Sequence, residues 1–293
     1  MELNGVLVVD KPQNMTSHDV VSIMRRALKT KKVGHTGTLD PMATGVLPIC
    51  VGKATKIVDF LMDRKKAYVC EMTLGSATDT QDRWGEVTDE VTDFQVSQEA
   101  IVSAVYSFVG EIQQIPPMYS ALKVNGEKLV DLARKGIVVD RAPRRRTIYQ
   151  IEIIDVRHHT VKFKVVCSKG TYIRTLCHDI GLKLGTFAHM TELRRVLSEP
   201  FDLAQAVTID QIKQDASAIK LVAMEDALSF MPEVRVKADE RLIKRVENGV
   251  KTNFSKYVDN ESSGLYYRLF LNDTFWGVLE KQSDGVFVKK VLV

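Results

Sequence analysis

The chain has 293 residues, 45% hydrophobic and 27% charged, which predicts an ordinary soluble globular protein with one large and one smaller domain. Its formal net charge of +4 is only mildly basic, so a nucleic acid would have to bind to local basic patches. No apolar run has the length of a membrane-spanning helix and charges interrupt the N-terminal segment, so we expect a cytoplasmic protein with no membrane partner.

The cysteines exclude two common uses of this residue. They are Cys50, Cys70, Cys167 and Cys177. They form no CxxC pair and no zinc-binding spacing with the histidines of the chain. We therefore expect reduced, buried thiols and no metal site.

The first thirty-two residues predict a strand followed by a helix. Gly5–Asp10 is a continuous apolar strand, and Thr16 with Ser17 can cap a helix over His18–Lys29. Basic residues follow at the end of this helix, namely Arg25, Arg26, Lys29, Lys31 and Lys32. Such charges are typical of a solvated helix surface, although their place before the next segment also favours an anionic ligand.

The segment Val33–Gly52 contains four glycines, one histidine and a single carboxylate, Asp40. Pro41 disfavours a helical conformation at Asp40, so the segment predicts a polar loop at the end of strand structure. The spacing of the glycines and the alanine after Lys53 exclude a phosphate-binding P-loop. A simple turn with an Asx hydrogen bond remains open as an explanation of the Asp-Pro pair.

The pattern continues with a helix over Ala54–Met62 and an alternating strand over Lys66–Leu74. Tyr68 lies on the apolar face of that strand, where a core aromatic is the simplest interpretation. The carboxylates of Thr78–Asp82 have the wrong spacing for an EF-hand. A helix over Ser97–Val109 follows, with the serine as its cap.

Two prolines at 116 and 117 break the pattern and open an excursion. It predicts a strand over Tyr119–Val124, a turn at Asn125-Gly126, and a helix over Glu127–Lys135. It ends in four arginines within six residues, which are Arg141, Arg144, Arg145 and Arg146. This density favours contact with a phosphate backbone, although a solvated charge run explains it equally well.

The next part predicts strands over Ile148–Val156 and Val161–Cys167, a helix, and a strand over Ala188–Val196. The apolar stripe of the helix leaves Arg174 on another face. No carboxylate lies four residues before or after Arg174, so any acidic partner must be distant in sequence.

Pro232 marks the predicted boundary between domains at residues 1–232 and 233–293. Beyond it, the pattern predicts a helix over Asp239–Glu247 and strands over Tyr266–Leu271, Phe275–Lys281 and Val286–Leu292. Short strands with polar turns indicate a compact β-rich module.

Several motifs, taken together, resemble the TruB family of tRNA pseudouridine-55 synthases. They are Val33–Pro48, Asp10–Pro12 with Thr16–Ser17, Lys66–Tyr68, Thr78–Asp82, Pro116–Lys123 and Gly170–Arg174. The resemblance covers nearly the whole chain. It implies an α+β fold with a central, mostly antiparallel mixed sheet flanked by helices, the pseudouridine synthase fold. It also implies an RNA-gripping insertion at about 116–146 and a PUA-like RNA-binding domain after Pro232.

The resemblance further implies a reaction. Uridine 55 in the T-arm stem-loop of tRNA would leave its stack and become pseudouridine, as the N1–C1′ bond breaks and a C5–C1′ bond forms. No atom is gained or lost, so no cofactor or metal is expected. Asp40 would be the essential carboxylate, acting at C1′ or C6 as nucleophile or at C2′ as base, and these three modes stay open. We expect a monomer.

The same resemblance assigns roles to further residues. Arg174 would pair with Asp40 and orient it, and Tyr68 would lie against the uracil and help to remove the C5 proton. The residues expected to bind the substrate are Lys11, His35, Tyr172 and Leu193. Asn14 stands where the family often has glycine, and asparagine tolerates the left-handed backbone that glycine adopts there.

Two other functions have to be weighed. A non-catalytic RNA-binding protein would share the arginines but would not need Asp40, Tyr68 and Arg174 together. A glycoside hydrolase also cleaves at C1′ but requires two carboxylates, for which Asp79 and Asp82 are the spare candidates.

Overall fold

The structure is a computed structural model that describes residues 3–216, 219–258 and 264–293. The strands of these ranges are β1 (Gly5–Lys11), β2 (Val33–His35), β3 (Thr44–Val51), β4 (Lys66–Leu74), β5 (Ser76–Thr78), β6 (Val87–Glu90), β7 (Gly110–Gln114), β8 (Lys123–Val124), β9 (Glu127–Lys128), β10 (Arg144–Arg157), β11 (Thr160–Cys167), β12 (Ala188–Ser198), β13 (Phe201–Asp202), β14 (Val207–Thr208), β15 (Glu233–Val236), β16 (Tyr266–Leu271), β17 (Thr274–Gln282) and β18 (Gly285–Val291). The α-helices are α1 (Ser17–Ala27), α2 (Val58–Met62), α3 (Gln98–Tyr106), α4 (Leu129–Arg134), α5 (Ile173–Leu184), α6 (Ile209–Gln214), α7 (Met224–Ala227) and α8 (Glu240–Glu247).

The largest sheet follows the order β14-β1-β3-β12-β4-β11-β10-β7, with β2 beside β3 and β13 beside β12. Its neighbouring strands are antiparallel except for β1 with β14 and β3 with β12, which are parallel. This confirms the expected α+β fold with a mostly antiparallel mixed sheet. No helix in the described ranges is both long and apolar enough to cross a membrane.

Both faces of the large sheet are buried at β1, which explains the continuous apolar sequence of this strand. Leu7 and Val9 pack into a core with the buried faces of α1, α3 and α5. Val6 and Val8 point the other way, into a second apolar cluster that includes Phe270 of the C-terminal strands. The site described below lies where loops from this sheet meet the first turn of α5.

The C-terminal part is β-rich, as expected. Its four strands follow the order β15-β16-β17-β18, and three of them match the predicted strands to within about a residue at each end. The sequence analysis missed β15, although Glu233–Val236 alternates charged residues with valines and both valines are buried. Asp239 caps α8 by accepting a hydrogen bond from the amide of Leu242 at 2.8 Å.

Three of the predicted elements that differ from the structure lie between residues 54 and 135. Residues 54–62 form a 3-10 turn over Gly52–Ile57 and then the short α2, not one helix. The predicted strand over Tyr119–Val124 is confined to β8, which pairs with β9 across Asn125-Gly126. Both turn residues have positive φ, at 51° and 89°, so a tight hairpin forms and takes the first two residues of the predicted helix.

Candidate active site

A cavity of about 600 Å³ opens beside the central strands of the large sheet. This volume is within the range of sites that hold small organic groups. Its wall contains seven of the predicted site residues, which are Asp40, Tyr68, Arg144, Arg146, Tyr172, Arg174 and Leu193. Lys11, His35, Arg141 and Arg145 are not part of this wall.

Asp40 lies in the loop at residues 36–43, between β2 and β3. The expected polar loop is therefore confirmed in its centre, while the ends of the predicted segment are strands. Ser17 of α1 holds the loop twice, because its hydroxyl accepts from the amide of Leu39 at 2.8 Å and donates to the carbonyl of Leu39 at 3.1 Å. The amide of Ala43 donates to the carbonyl of Asp40 at 3.0 Å. The loop thus presents one carboxylate to the cavity from a fixed backbone.

Arg174 joins this loop to two others, although the sequence pattern predicts a side chain away from the buried stripe of α5. It is only 4% exposed, and its Nε donates to Oδ2 of Asp40 at 2.9 Å. Nη1 donates to the carbonyl of Thr80 at 2.7 Å, and Nη2 donates to the carbonyl of Tyr119 at 2.9 Å. The planar guanidinium therefore fixes the position of Asp40 relative to the 78–82 turn and the 116–146 insertion.

A second carboxylate completes this arrangement. Oδ2 of Asp82 lies 3.7 Å from Nε of Arg174, and Asp82 is itself buried. Its Oδ1 accepts from Thr80 Oγ1 at 2.9 Å and from the amide of Trp84 at 3.0 Å. The sequence indicated Asp82 as part of a family-like motif and as a spare carboxylate for a hydrolase, but nothing local links it to Arg174.

Gln114 is another residue of the site that the pattern missed. Its side-chain amide donates to the carbonyl of Tyr172 at 2.9 Å and accepts from the amide of Tyr172 at 2.8 Å. Tyr172 is the residue before α5 begins. The buried glutamine at the end of β7 therefore fixes the start of the helix that carries Arg174.

Tyr68 of β4 stands in the cavity wall opposite Arg195 of β12 in the sheet register. Burial raises the pKa of the Tyr68 phenol, and the nearby Arg195 guanidinium opposes that rise. The phenol is therefore protonated at neutral pH. Leu193, two residues before Arg195, adds an apolar patch to the same wall.

Lys11 lies behind the Asp40 loop and is fully buried. Its Nζ donates to the carbonyl of Met15 at 2.6 Å, that of Pro12 at 2.9 Å and that of Pro41 at 3.4 Å. Burial lowers the pKa of Lys11 to about 8, and Asp40 works in the opposite direction. Since the amine is bonded to backbone carbonyls, its observed role is to hold the loop, and substrate contact by Lys11 stays a prediction.

His35 is half-buried and directly precedes Thr36 and Gly37, which line the cavity. Its Nδ1 accepts from the amide of Gly37 at 3.3 Å, which requires the neutral ring at that nitrogen. Burial, and then the charges of Arg195 and His18, lower the pKa of His35. Contact of this neutral ring with a substrate stays a prediction.

The structure divides the predicted arginine run. Arg144 and Arg146 share one face of β10 and line the cavity, where Nε of Arg146 donates to the carbonyl of Gly170 at 2.9 Å. Arg145 points to the other face and pairs with Glu111 of β7. Nη1 of Arg141 donates to the carbonyl of Pro116 at 3.2 Å, so this arginine closes the base of the insertion.

Two further observations concern metal ligands and cysteines. Across the described ranges, His, Cys, Asp and Glu form no group of three or more that is placed to hold a metal ion. All four cysteines are buried, as expected, and Sγ of Cys70 lies 3.5 Å from Sγ of Cys177 beneath the site.

Known protein families and solved structures similar to this chain cover most of its length. A model described as the N-terminal domain of TruB family pseudouridylate synthases matches residues 25–173. A model of the tRNA pseudouridylate synthase B C-terminal domain matches residues 174–238. A solved Cbf5-Nop10-Gar1 complex is similar in fold, with a TM-score of 0.76 and 29% identity over 99% of this chain and 85% of that chain.

Sequence relatives extend the similarity to the full length. A tRNA pseudouridine synthase B of Clostridium tetani is 46% identical over 99% of this chain and 100% of the relative. One of Alkaliphilus oremlandii is 48% identical over 99% of this chain and 98% of the relative. With such relatives, the matching family models and a cavity built around Asp40 and Arg174, the chain belongs to the TruB family of pseudouridylate synthases, which are isomerases.

Proposed function

We propose that this protein converts uridine 55 in the T-loop of tRNA to pseudouridine, with Asp40 as the essential carboxylate and without a cofactor. The observation that carries the proposal is the 2.9 Å ion pair between Asp40 and the buried Arg174, at the wall of a cavity that also contains Tyr68. The relatives named as tRNA pseudouridine synthase B support the choice of tRNA.

The cavity can serve this chemistry only if the target base leaves its stack, because a base inside a duplex cannot reach Asp40. Asp40 is 37% exposed at its side chain while Arg174 is 5% exposed, so the carboxylate faces the cavity and the guanidinium holds it from behind. A carboxylate needs no partner base to be ionised at neutral pH. Asp40 then attacks C1′ or C6, or removes the C2′ proton.

After the N1–C1′ bond breaks, the uracil turns and C5 bonds to C1′. The C5 proton must then leave and N1 must gain one, so the product is an isomer. Tyr68, Tyr172 and Leu193 line the cavity. We propose that Tyr68 assists this transfer and that the base packs against Tyr172 and Leu193. Lys11 and His35 contact the backbone of the Asp40 loop, and the proposal includes their contact with the substrate.

The proposal is tested with a tRNA transcript that carries tritium at C5 of its uridines. We expect tritium release with added chelator present, and we expect it to stop when position 55 of the transcript is changed to cytidine. Nucleoside analysis should show pseudouridine and no free uracil. Release of free uracil would instead support a hydrolase, and tight binding without tritium release would support a binding protein.

We also propose that residues 233–293 form a separate PUA-like domain that binds tRNA, next to a catalytic domain at 1–232 whose 116–146 insertion grips the T-arm. The exposed face of α8 carries Arg241, Lys244 and Arg245, which suits a phosphate backbone. Replacing all three with glutamine should raise the KM for full tRNA, while the KM for an isolated T-arm stem-loop stays unchanged. We place the enzyme in the cytoplasm as a monomer.

A further inference from the structure

Arg195 is another arginine in the cavity wall, and the reaction proposed above assigns it no role. It is 1% exposed, and its guanidinium lies in the wall beside Tyr68. Nε donates to the carbonyl of Val46 at 2.7 Å, and Nη2 donates to the carbonyl of Gly37 at 3.2 Å. Backbone of the Asp40 loop and of β3 therefore holds this side chain in place.

The charge of Arg195 differs from those of its neighbours because no described carboxylate forms an ion pair with it. Arg174 is paired with Asp40 and Asp82, and Arg194 is paired with Asp10 at 2.7 Å. Burying a cation without an anionic partner is costly, since carbonyl dipoles replace only part of the lost hydration. A buried, unneutralised guanidinium in a cavity wall therefore creates a positive potential inside that cavity.

The pKa directions of neighbouring groups, Lys66 and His35 among them, agree with such a potential. The pKa of Lys66, which also lines the cavity, falls to about 8 chiefly through burial, and Arg195 lowers it further. The pKa of His35 is lowered in the same way, by burial first and by Arg195 second. A guanidinium side chain carries a fixed positive charge in proteins.

The sheet register fixes the guanidinium at this place. Arg195 pairs with Tyr68 of β4 on one side and with Gly45 of β3 on the other. Gly45 has a φ of +102°, and a Cβ there would lie 2.1 Å from the carbonyl oxygen of Arg195. Only glycine allows the two strands to approach so closely, which brings Arg195 between Tyr68 and the Asp40 loop.

Every open mode of the proposed reaction places negative charge on the pyrimidine ring. If Asp40 attacks C1′ or removes the C2′ proton, the N1–C1′ bond breaks and its electron pair stays on the ring. If Asp40 adds to C6, a bond forms at C6 and the electron pair of the C5–C6 double bond moves towards O4. In each case the anion is temporary. As C5 bonds to C1′, the bond from Asp40 to C1′ or C6 breaks, or the C2′ proton returns to C2′, and the C5 proton then leaves while N1 gains one.

We propose that Arg195 stabilises this anionic pyrimidine, as a charge-stabilising group distinct from the Arg174 that orients Asp40. The inference rests on the proposed function. Fixed positive groups aimed at a developing anion in a cavity that excludes water need no rearrangement during the reaction. Removing one such group typically slows the chemical step about 100-fold or more.

The test compares uridine with 5-fluorouridine at the target position of the same T-arm stem-loop. Fluorine withdraws electrons and stabilises the ring anion. The reaction rate of the 5-fluorouridine stem-loop should therefore depend less on Arg195. Single-turnover loss of the unmodified nucleoside is measured for wild type, Arg195→Gln and Arg195→Lys. Arg194→Gln on the same strand is the matched control. Thermal unfolding of each variant is recorded beside the rates.

We expect Arg195→Gln to lower the rate with uridine about 100-fold. The rate with 5-fluorouridine should fall only about tenfold. Arg195→Lys keeps a positive charge on a shorter side chain, so its rate with uridine should fall about tenfold and its rate with 5-fluorouridine should fall less. If Arg195→Gln does not fold, Arg195→Lys provides the same comparison. Arg194→Gln should slow neither substrate. Equal slowing of both substrates in every folded Arg195 variant would overturn the inference, whereas a wild type that leaves uridine unchanged would overturn the proposed function instead.

Discussion

The side chains of the candidate active site lie far apart in sequence and meet at one guanidinium. Arg174 binds a carboxylate 134 positions away and two backbone carbonyls from separate loops. Breaking a buried charge pair by removing one partner leaves an uncompensated charge, so each partner of Arg174 affects the others. Asp82 is the partner whose contribution to catalysis can be measured most cleanly.

Asp82→Asn removes the charge near Arg174 and keeps the size of the side chain. We expect kcat to fall about tenfold to a hundredfold, roughly 1.4 to 2.7 kcal/mol of transition-state free energy, because Arg174 loses the anion that orients it towards Asp40. The KM for tRNA should change little. Asp79→Asn is the matched control, since Asp79 accepts from the Tyr119 hydroxyl at 2.9 Å and does not contact Arg174. A larger loss in the control than in Asp82→Asn would contradict this role.

The pKa of Lys11 predicts a loss of activity at alkaline pH. Burial lowers this pKa to about 8, so the amine loses its charge above that pH and holds the carbonyl of Pro41 less well. We expect the single-turnover rate to fall with an apparent pKa near 8. In Lys11→Met the decrease in rate near pH 8 should be absent. Lys66 also has a pKa of about 8 and is unchanged in this variant, so loss of the decrease would assign it to Lys11.

Unfolding would not explain such a loss. The pKa of Lys11 in the folded protein lies below its ordinary value of 10.5, so between about pH 8 and 10.5 the unfolded chain holds more protons. The contribution of Lys11 to the free energy of unfolding therefore rises with pH in this window. Circular dichroism at each pH checks that the fold is retained, and a rate that stays level to pH 9.5 would contradict the prediction.

At the scale of single elements, the alternation of β10 decides which arginines face the cavity, and we expect those arginines to contact RNA. Arg144→Gln and Arg146→Gln should each reduce the slope of log affinity against log salt by about 0.7 to 0.9, because each change removes one positive charge beside an RNA phosphate. Turnover at saturating tRNA should stay nearly unchanged. Arg145→Gln is the control, because Arg145 faces the other way and is already paired with Glu111. A salt slope reduced most in the control would show that the other face binds the RNA.

The elements themselves were predictable to different degrees. Lys66–Leu74 and Tyr266–Leu271 have the predicted bounds, because their hydrophobic patterns identify buried strands. The arginines before Ile148 are typical of a charged loop, so the sequence does not predict a strand there. In the structure they belong to β10, because they pair with β7. Local residues indicated only that the partner of Arg174 is distant, and its assignment to Asp40 came from family resemblance. Gln114 acts on Tyr172 across 58 positions, and no sequence period reports such a contact.

At the scale of the whole molecule, the two sheets share an apolar cluster. The ring centroids of Phe60 and Tyr266 lie 4.9 Å apart, and Phe270 packs into the same cluster with Val46. Nζ of Lys56 also donates to the carbonyl of Val291 at 3.0 Å. The C-terminal strands therefore support the face of the sheet opposite to α1, α3 and α5.

This shared cluster predicts that both parts unfold together. Phe270→Ala should lower the free energy of unfolding by about 3 kcal/mol, because it leaves a cavity between the sheets, and the transition should stay single. Tyr257→Ala, at an aromatic residue that is 38% exposed, should cost less than about 0.5 kcal/mol. Two separate unfolding transitions, of which only one responds to Phe270→Ala, would contradict the coupling of the sheets.

The most direct measurement of the proposed activity is tritium release from C5-labelled uridine 55 in tRNA by wild type and by Asp40→Asn, under single-turnover conditions with bound RNA measured in parallel. We predict that Asp40→Asn binds the tRNA with an affinity within a few-fold of wild type and releases no tritium above background. Asp93→Asn, a change at an exposed carboxylate far from Asp40 in the sequence, should release tritium at the wild-type rate. Tritium release by Asp40→Asn at a rate near that of wild type would contradict the role of Asp40 as the essential carboxylate.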